Sequence, residues 1–336
     1  MIRSIYRNDL LKLETREGIA DLPPAGFLWL VVSHPDETAM NELRRRFRVD
    51  PQLQGTSVHE DEEYVYLFAE LVAMDEQREP VFHKVTFVLG DRLLVTLHDT
   101  DNFTPLNRAM QRLQRHPQQA TDARSLMRMI LAGINDSTSQ VIEQIATDLE
   151  TSADTIAMLS RAARSNGREL GVTDLSETLL DLNDSEELIS NCLESQLALA
   201  RVARYLNGEV DGHREPELQS LVSELMQDIN GVKEHAAFEH EKVRYLQNSV
   251  VGLLNIKQNQ IVKVFTIIKA VFLPPTLVAT FYGMNFAVMP EPVIGRDFAA
   301  SLVEEFWRSF FFNAGITAHV DLLRATNSHH AAEAIF

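Results

Sequence analysis

The chain has 336 residues, enough for one large domain or two ordinary ones, and its 45% hydrophobic content is too low for a protein that is mostly membrane. Its 48 acids against 31 bases give a formal charge of −17, which argues against nucleic acid as a partner and favours attraction of cations, beside the plainer role of keeping a protein soluble. The lone Cys192 excludes a disulfide framework and a multi-cysteine zinc site, and its apolar helical surroundings point to a buried thiol in a reducing compartment.

Residues 1–18 carry charges throughout and lack the apolar core of a signal peptide, which predicts a cytosolic N-terminus. Gly26 to Val32 is a short apolar run that predicts a buried strand. Pro35-Asp36-Glu37 then opens a helix, because proline suits the first turn and acids suit its positive end; Met40, Leu43 and Phe47 follow at helical spacing. Tyr64 to Phe68, Val81 to Leu89 and Leu93 to Leu97 predict three more strands, with a polar stretch at Asp75-Glu76-Gln77 and a tight turn at Gly90-Asp91. Residues 1–120 are expected to form an α/β sandwich domain.

Helical periodicity takes over from 121. One helix is expected over Ser125 to Leu159 and a second over Leu175 to Leu206, with a polar break near Ser165-Asn166-Gly167 and a C-cap at Asn207-Gly208. Residues 121–215 thus read as a helical hairpin. From 216 the apolar positions Leu218, Val222, Leu225, Ile229, Val232, Ala236, Val243, Leu246, Val250 and Leu253 step by four and three, with only Glu239 interrupting the seam. This heptad pattern demands a partner helix along its length. The stalk, 216–260, continues without a cap into 261–286; one helix to residue 283 would be on the order of 100 Å long, too long for a compact domain.

Val264 to Phe286 contains a single charge, Lys269, and is long and apolar enough for a transmembrane helix. Pro274-Pro275 is tolerable in such a helix, Tyr282 suits the far interface, and Lys257 and Lys263 suit the near one. Asn259, Val262, Phe265 or Thr266, Lys269, Leu273, Thr276 and Thr280 share one helical face. Neutral oxygens on a narrow passage suit magnesium, which sheds its water reluctantly. One copy of such a face conducts nothing; several copies around an axis could.

Pro274-Pro275-Thr276, then Tyr282-Gly283-Met284-Asn285-Phe286, then Met289-Pro290-Glu291 resembles the first membrane helix and outer loop of CorA metal-ion transporters. Weaker similarity reaches back through the stalk and the α/β domain. The resemblance implies an α+β homopentameric funnel in the inner membrane, with the N-terminal domain cytoplasmic and the lipid bilayer, divalent cations and its own copies as partners. It implies that Gly283, Met284 and Asn285 form the outer mouth, the Asn285 carbonyl holding a hydrated ion, and that Glu291 in the outer loop, 287–297, attracts cations. Asn259, Val262, Leu273 and Thr276 fall on the family's pore-lining face, and Thr280 continues it. Mg2+ would be both transported and regulatory, with Glu224 and Asp228 as candidate regulatory ligands; Co2+ and Ni2+ are further candidate cargoes. Met284 is expected to pack rather than ligate, since thioethers are poor magnesium ligands.

Two departures bear on activity. Lys269 lies where the family carries small or apolar residues, so it points between subunits, is neutralised, or impairs conduction. In place of the family's second membrane helix, residues 298–336 form an atypical tail with Glu304, Glu305, Arg308, His319 and Asp321, too charged to span, and lacking a basic end. Its origin in a shifted reading frame after Glu291 is one expectation; its His319, His329 and His330 suggest an unstructured tail more readily than a metal tract.

Transport is expected to be passive, because no phosphate-binding glycine-rich loop is present. The other readings are a non-conducting membrane-anchored or soluble oligomer, a transporter for another divalent ion such as cobalt, nickel or zinc, and an enzyme built on His59-Glu60-Asp61-Glu62-Glu63. The last lacks a helical pair of histidines and reads more simply as an acidic loop, so no enzyme is expected.

Overall fold

The computed structural model describes residues 2–7, 13–18, 28–50, 58–75, 77, 79–100, 103–119, 121–164, 172–283 and 304. Two compact units are present, Met1–Leu254 and Asn255–Phe336. In the first, seven strands, β1 (Ile2–Arg7), β2 (Leu13–Glu17), β3 (Leu28–Ser33), β4 (Val58–Glu60), β5 (Val65–Met74), β6 (Pro80–Leu89) and β7 (Leu93–His98), form one sheet in the order β2-β1-β3-β7-β6-β5-β4. The β3–β7 pair is parallel and the other pairs are antiparallel. The central strands are apolar on successive residues because both faces are covered. On one face Leu30, Val32, Val88, Val95 and Leu97 pack with Ala39 and Leu43 of α1 (Glu37–Phe47). On the other, Trp29, Val31, Phe87 and Leu94 pack against α2 (Thr104–Arg115) and α3 (Ala123–Arg164).

Local chemistry sets the boundaries. Asp36 caps α1, its Oδ1 accepting from the Ala39 N–H at 2.7 Å, so Pro35 precedes the helix instead of entering its first turn as expected. Gly90 N donates to Leu93 O at 2.8 Å, closing the expected turn. The Tyr64 ring lies so near Gly90 that an added Cβ would stand 2.7 Å from it, so that position requires glycine.

The four strands read from the sequence are present, but β1, β2 and β4 were missed and β5 runs on to Met74. The edge strands β2 and β4, Leu-Glu-Thr-Arg-Glu and Val-His-Glu, carry little apolar signal. Charged, short edges resist pairing with other chains, and that is what hides them from a hydrophobicity reading.

β4 pairs with Val65 to Leu67, and among the described residues no strand adjoins the far half of β5 on that side. Helix hydroxyls take the missing strand's place. Val72 N donates to Ser195 Oγ at 3.0 Å, Met74 N donates to Ser137 Oγ at 2.9 Å, and Thr138 Oγ1 donates to Val72 O at 2.8 Å. Buried backbone groups must find partners, and these side chains weld the sheet to α3 and α4 (Val172–Glu209).

The helices after residue 121 have other ends than the periodicity predicts. Helix α3 extends beyond Ser125 to Leu159 at both ends. Asn207-Gly208 does not end α4, which runs to Glu209. The stop comes one residue later, where Val210 is buried and Asp211 turns the chain, its Oδ1 accepting from His213 N at 3.0 Å. The break at 165–167 lies outside the described residues. Helix α5 spans Pro216–Gly283. Its seam residues Leu218, Val222, Leu225 and Ile229 pack with Leu199, Val202, Ala203 and Leu206 of α4, and Ala236, Val243, Leu246 and Val250 pack with Ile142, Leu149 of α3 and Leu182, Ile189 of α4. The partner that the heptad pattern demands is therefore this chain's own hairpin. Polar contacts tie the helices further: Gln247 Nε2 donates to Glu186 Oε2 at 2.7 Å and Asn183 Oδ1 at 3.1 Å, and Gln219 Nε2 donates to Asn207 Oδ1 at 2.9 Å. Cys192 is fully buried in this packing, and burial pushes its thiol up to about 12.

Candidate metal-ion site

In the second unit, Asn259, Val262, Lys269, Leu273, Thr276 and Thr280 are all exposed on α5. With each residue turning the helix by about 100°, they fall within one face roughly 100° wide. Thr266 Oγ1 donates to Val262 O at 2.8 Å, Thr276 Oγ1 to Phe272 O at 2.7 Å, and Thr280 Oγ1 to Thr276 O at 2.7 Å. A hydroxyl that spends its hydrogen on its own helix keeps only lone pairs for its surroundings. Such oxygens accept hydrogen bonds, and the water shell of a cation presents its hydrogens outward. The face is therefore chemically matched to a hydrated cation.

Apolar side chains occupy the rest of this stretch. Ile261, Val264, Phe265, Ile268, Phe272 and Leu277 are exposed and spread around the helix, a pattern that requires an apolar environment on several sides. Among the described residues no helix is long and apolar enough to cross a membrane. The expected span of Val264 to Phe286 reaches beyond them: Gly283 is the last described residue of α5, while Met284, Asn285 and Phe286 lie outside, as does Glu291 and, apart from residue 304, the tail.

The regulatory candidates Glu224 and Asp228 lie one turn apart on α5, both exposed. Glu224 acts on the Arg128 guanidinium of α3, whose pKa is lowered chiefly by burial and by Arg112, with Glu224 opposing. Asp228 acts on Asp136 of α3, whose carboxyl is pushed up by burial and by the Asp228 charge, with Arg112 opposing. The structure thus adds Asp136, Arg112 and Arg128 to the surroundings of these two acids. The signal in the sequence was Asn135-Asp136, a polar interruption in the apolar run of α3. Among the described residues no group of three or more histidines, cysteines or carboxylates could hold a metal ion. An acid pair beside two arginines can attract a hydrated cation but offers no inner coordination sphere.

The acidic run from His59 has a structural role. Asp61 Oδ1 accepts from Glu63 N at 2.8 Å and Tyr64 N at 2.6 Å, forming the turn between β4 and β5. Burial raises the Asp61 carboxyl, but these two N–H donors, Tyr66 and His59 together outweigh it and hold the group below its ordinary value. Glu63 pairs with Arg48 at 3.0 Å.

A helix-flanked mixed sheet that feeds a long helix with an apolar far end and outward hydroxyl oxygens has the elements of a cation-transport protein. Residues 24–314 match the family described as CorA-like Mg2+ transporter protein, and the chain belongs to that family. The match continues past Glu291 into the tail. The Magnesium transport protein CorA of Escherichia coli is 28% identical over 299 residues, covering 85% of this chain and 88% of that protein. The protein of the same name from Salmonella typhimurium is equally similar over the same shares. The complete structure of the CorA magnesium transporter from Methanocaldococcus jannaschii shares the fold, with a TM-score of 0.67 and 18% identity over 93% of this chain and 96% of that one. The full-length CmaX protein follows with a TM-score of 0.62 and 14% identity over 91% and 95%. These relatives are named for magnesium transport or share its architecture, in keeping with a transporter rather than an enzyme.

Proposed function

We propose that the protein is a passive divalent-cation channel, chiefly for magnesium, assembled as a homopentamer in the cell inner membrane with its α/β domain in the cytoplasm. The observation that carries this reading is the face of α5 running from Asn259 to Thr280, where hydroxyl oxygens turn outward in a mainly apolar stretch that also carries Lys263 and Lys269. Family membership and the names of the relatives support magnesium as cargo. Five copies of the face would line the pore through Asn259, Val262, Leu273, Thr276 and Thr280. Asn285, with Gly283 and Met284, would form the outer mouth and Glu291 would gather cations there; cobalt and nickel are secondary cargoes. Magnesium held near Glu224 and Asp228 would favour the closed state. Liposomes containing the full chain and a magnesium-sensitive dye test this reading. Uptake that falls about tenfold in Asn285→Ala, a loss of about 1.4 kcal/mol in barrier terms, is the expected result; no uptake from membrane-inserted protein overturns it.

A second reading, a membrane-anchored oligomer that does not conduct, draws on Lys269. An ammonium about 6 Å from a divalent ion costs roughly 5 kcal/mol at an effective dielectric near 20, enough to stall permeation. Uptake restored by Lys269→Thr in an otherwise silent protein would favour this reading.

A further inference from the structure

The face of the sheet beneath α2 holds a buried polar cluster that ion conduction does not use. Val85 of β6 lies opposite His98 of β7, so His83, two residues earlier on β6, shares the face of His98. His98 is 4% exposed and His83 7%. Phe103, 1% exposed, contacts both, with ring centroids 4.7 Å from His83 and 6.1 Å from His98. Phe103 is also the residue from which α2 starts. The two histidines therefore form part of the seat on which the helix begins. Among the described residues the buried hydroxyl of Thr104 makes no hydrogen bond, while the Thr100 backbone engages the His98 ring.

The surroundings tolerate neutral imidazoles and resist charged ones. Arg3 from β1 acts on His98 with the same sign as a protonated His83. Among the described residues α2 has no acid in its first turn and no side-chain cap, and its positive end begins beside the cluster at Phe103. Two acids oppose this: Asp99, after β7, is largely exposed, stands 3.9 Å from His83 Nδ1 and acts on both rings, and Asp75, after β5, acts on His83. His34, after β3, is exposed, and its backbone N–H donates to the His98 carbonyl at 3.0 Å. Burial dominates and holds both rings below the ordinary histidine value, His98 to about 4, against the Thr100 backbone, the largest of the influences that oppose it at His98.

We propose that His83 and His98 form a proton-sensitive latch: a proton taken up by this buried pair releases Phe103 and the first turn of α2 from the sheet. The proton comes from solvent, the charged ring repels its partner and Arg3, and the cost is relieved when the seat opens to water. The device makes the cytosolic unit responsive to acidification at a place separate from the ion path.

Hydrogen exchange on the full chain, corrected for the intrinsic pH dependence of exchange, reads the latch directly. Protection of residues 103–110 is expected to fall by at least about tenfold between pH 7 and pH 4.5, the equivalent of one pH unit of coupling, while residues 219–229 of α5 keep theirs. His98→Met, which leaves His83 as the single titrating ring of the pair, is expected to weaken the response. An equal response in His98→Met, no response in the wild-type chain, or a loss shared by α5 overturns the proposal. Should that variant fail to fold, exchange at the imidazole carbon of wild-type His98 gives its titration directly. A midpoint at or below about pH 5 supports the latch, and one near the ordinary 6.5 overturns it.

Discussion

Glu239 occupies a seam position of α5 that is otherwise apolar, and its side chain is 3% exposed. Lys242 Nζ lies 3.2 Å from Oε2 and His235 Nε2 3.8 Å from Oε1, so the charge is balanced by its own helix. A buried ion pair returns little of what desolvation costs, and replacing such a carboxylate by a well-packed apolar side chain is neutral or stabilising by roughly 1–4 kcal/mol. Glu239→Leu is therefore expected to leave the urea midpoint unchanged or raise it. Lys242→Ala is expected to lower it, though by less than the roughly 3–5 kcal/mol of a fully buried pair, because the lysine is a quarter exposed. The sequence marks Glu239 as the break in the seam; which groups answer it could not be read, since both lie on the polar side of the same helix.

Elements show the same division between legible and hidden. Strong periodicity revealed α3, α4 and α5, and the apolar runs revealed β3, β6 and β7. Helix α2 was overlooked although Leu106, Ala109, Met110 and Leu113 repeat at helical spacing and are buried; its arginines and glutamines masked a short amphipathic stripe. Two predictions test how the elements hold together. Ser137→Ala leaves the Met74 N–H buried without a partner and is expected to cost about 1–3 kcal/mol, read as a lower denaturation midpoint. Ile229→Ala, at a fully buried seam position, is expected to cost about 2–5 kcal/mol, whereas Leu221→Ala on the exposed side stays within about 0.5 kcal/mol. Equal effects at positions 229 and 221 would mean that the seam does not carry the packing.

At the scale of the molecule, stability should depend on pH through the buried histidines. His98 binds its proton near 6.5 when unfolded but only at about 4 when folded. The contribution is therefore complete above pH 6.5, declines as pH falls towards 4, and levels off below; at 1.36 kcal/mol per unit it amounts to roughly 3 kcal/mol. Comparing urea unfolding at pH 7 and pH 4 in the wild-type chain and His98→Met should show that difference shrinking in the variant.

The proposed ion path could be drawn from the sequence because a face of hydroxyls and an amide is a pattern in one stretch of chain. The acids around Asp136 were not, because their proximity to Asp228 arises only when α3 and α5 pack. The reading that joins these features is passive movement of hydrated magnesium along α5. Magnesium entry into liposomes bearing the full chain, measured without nucleotide while an inside-negative potential is imposed, tests it most directly. A potential of 100 mV acting on a divalent ion supplies about 4.6 kcal/mol, twice the roughly 2.3 kcal/mol per charge. Entry that accelerates steeply as the interior is made negative is the expected result. Entry that is absent, or indifferent to the potential, would contradict the account.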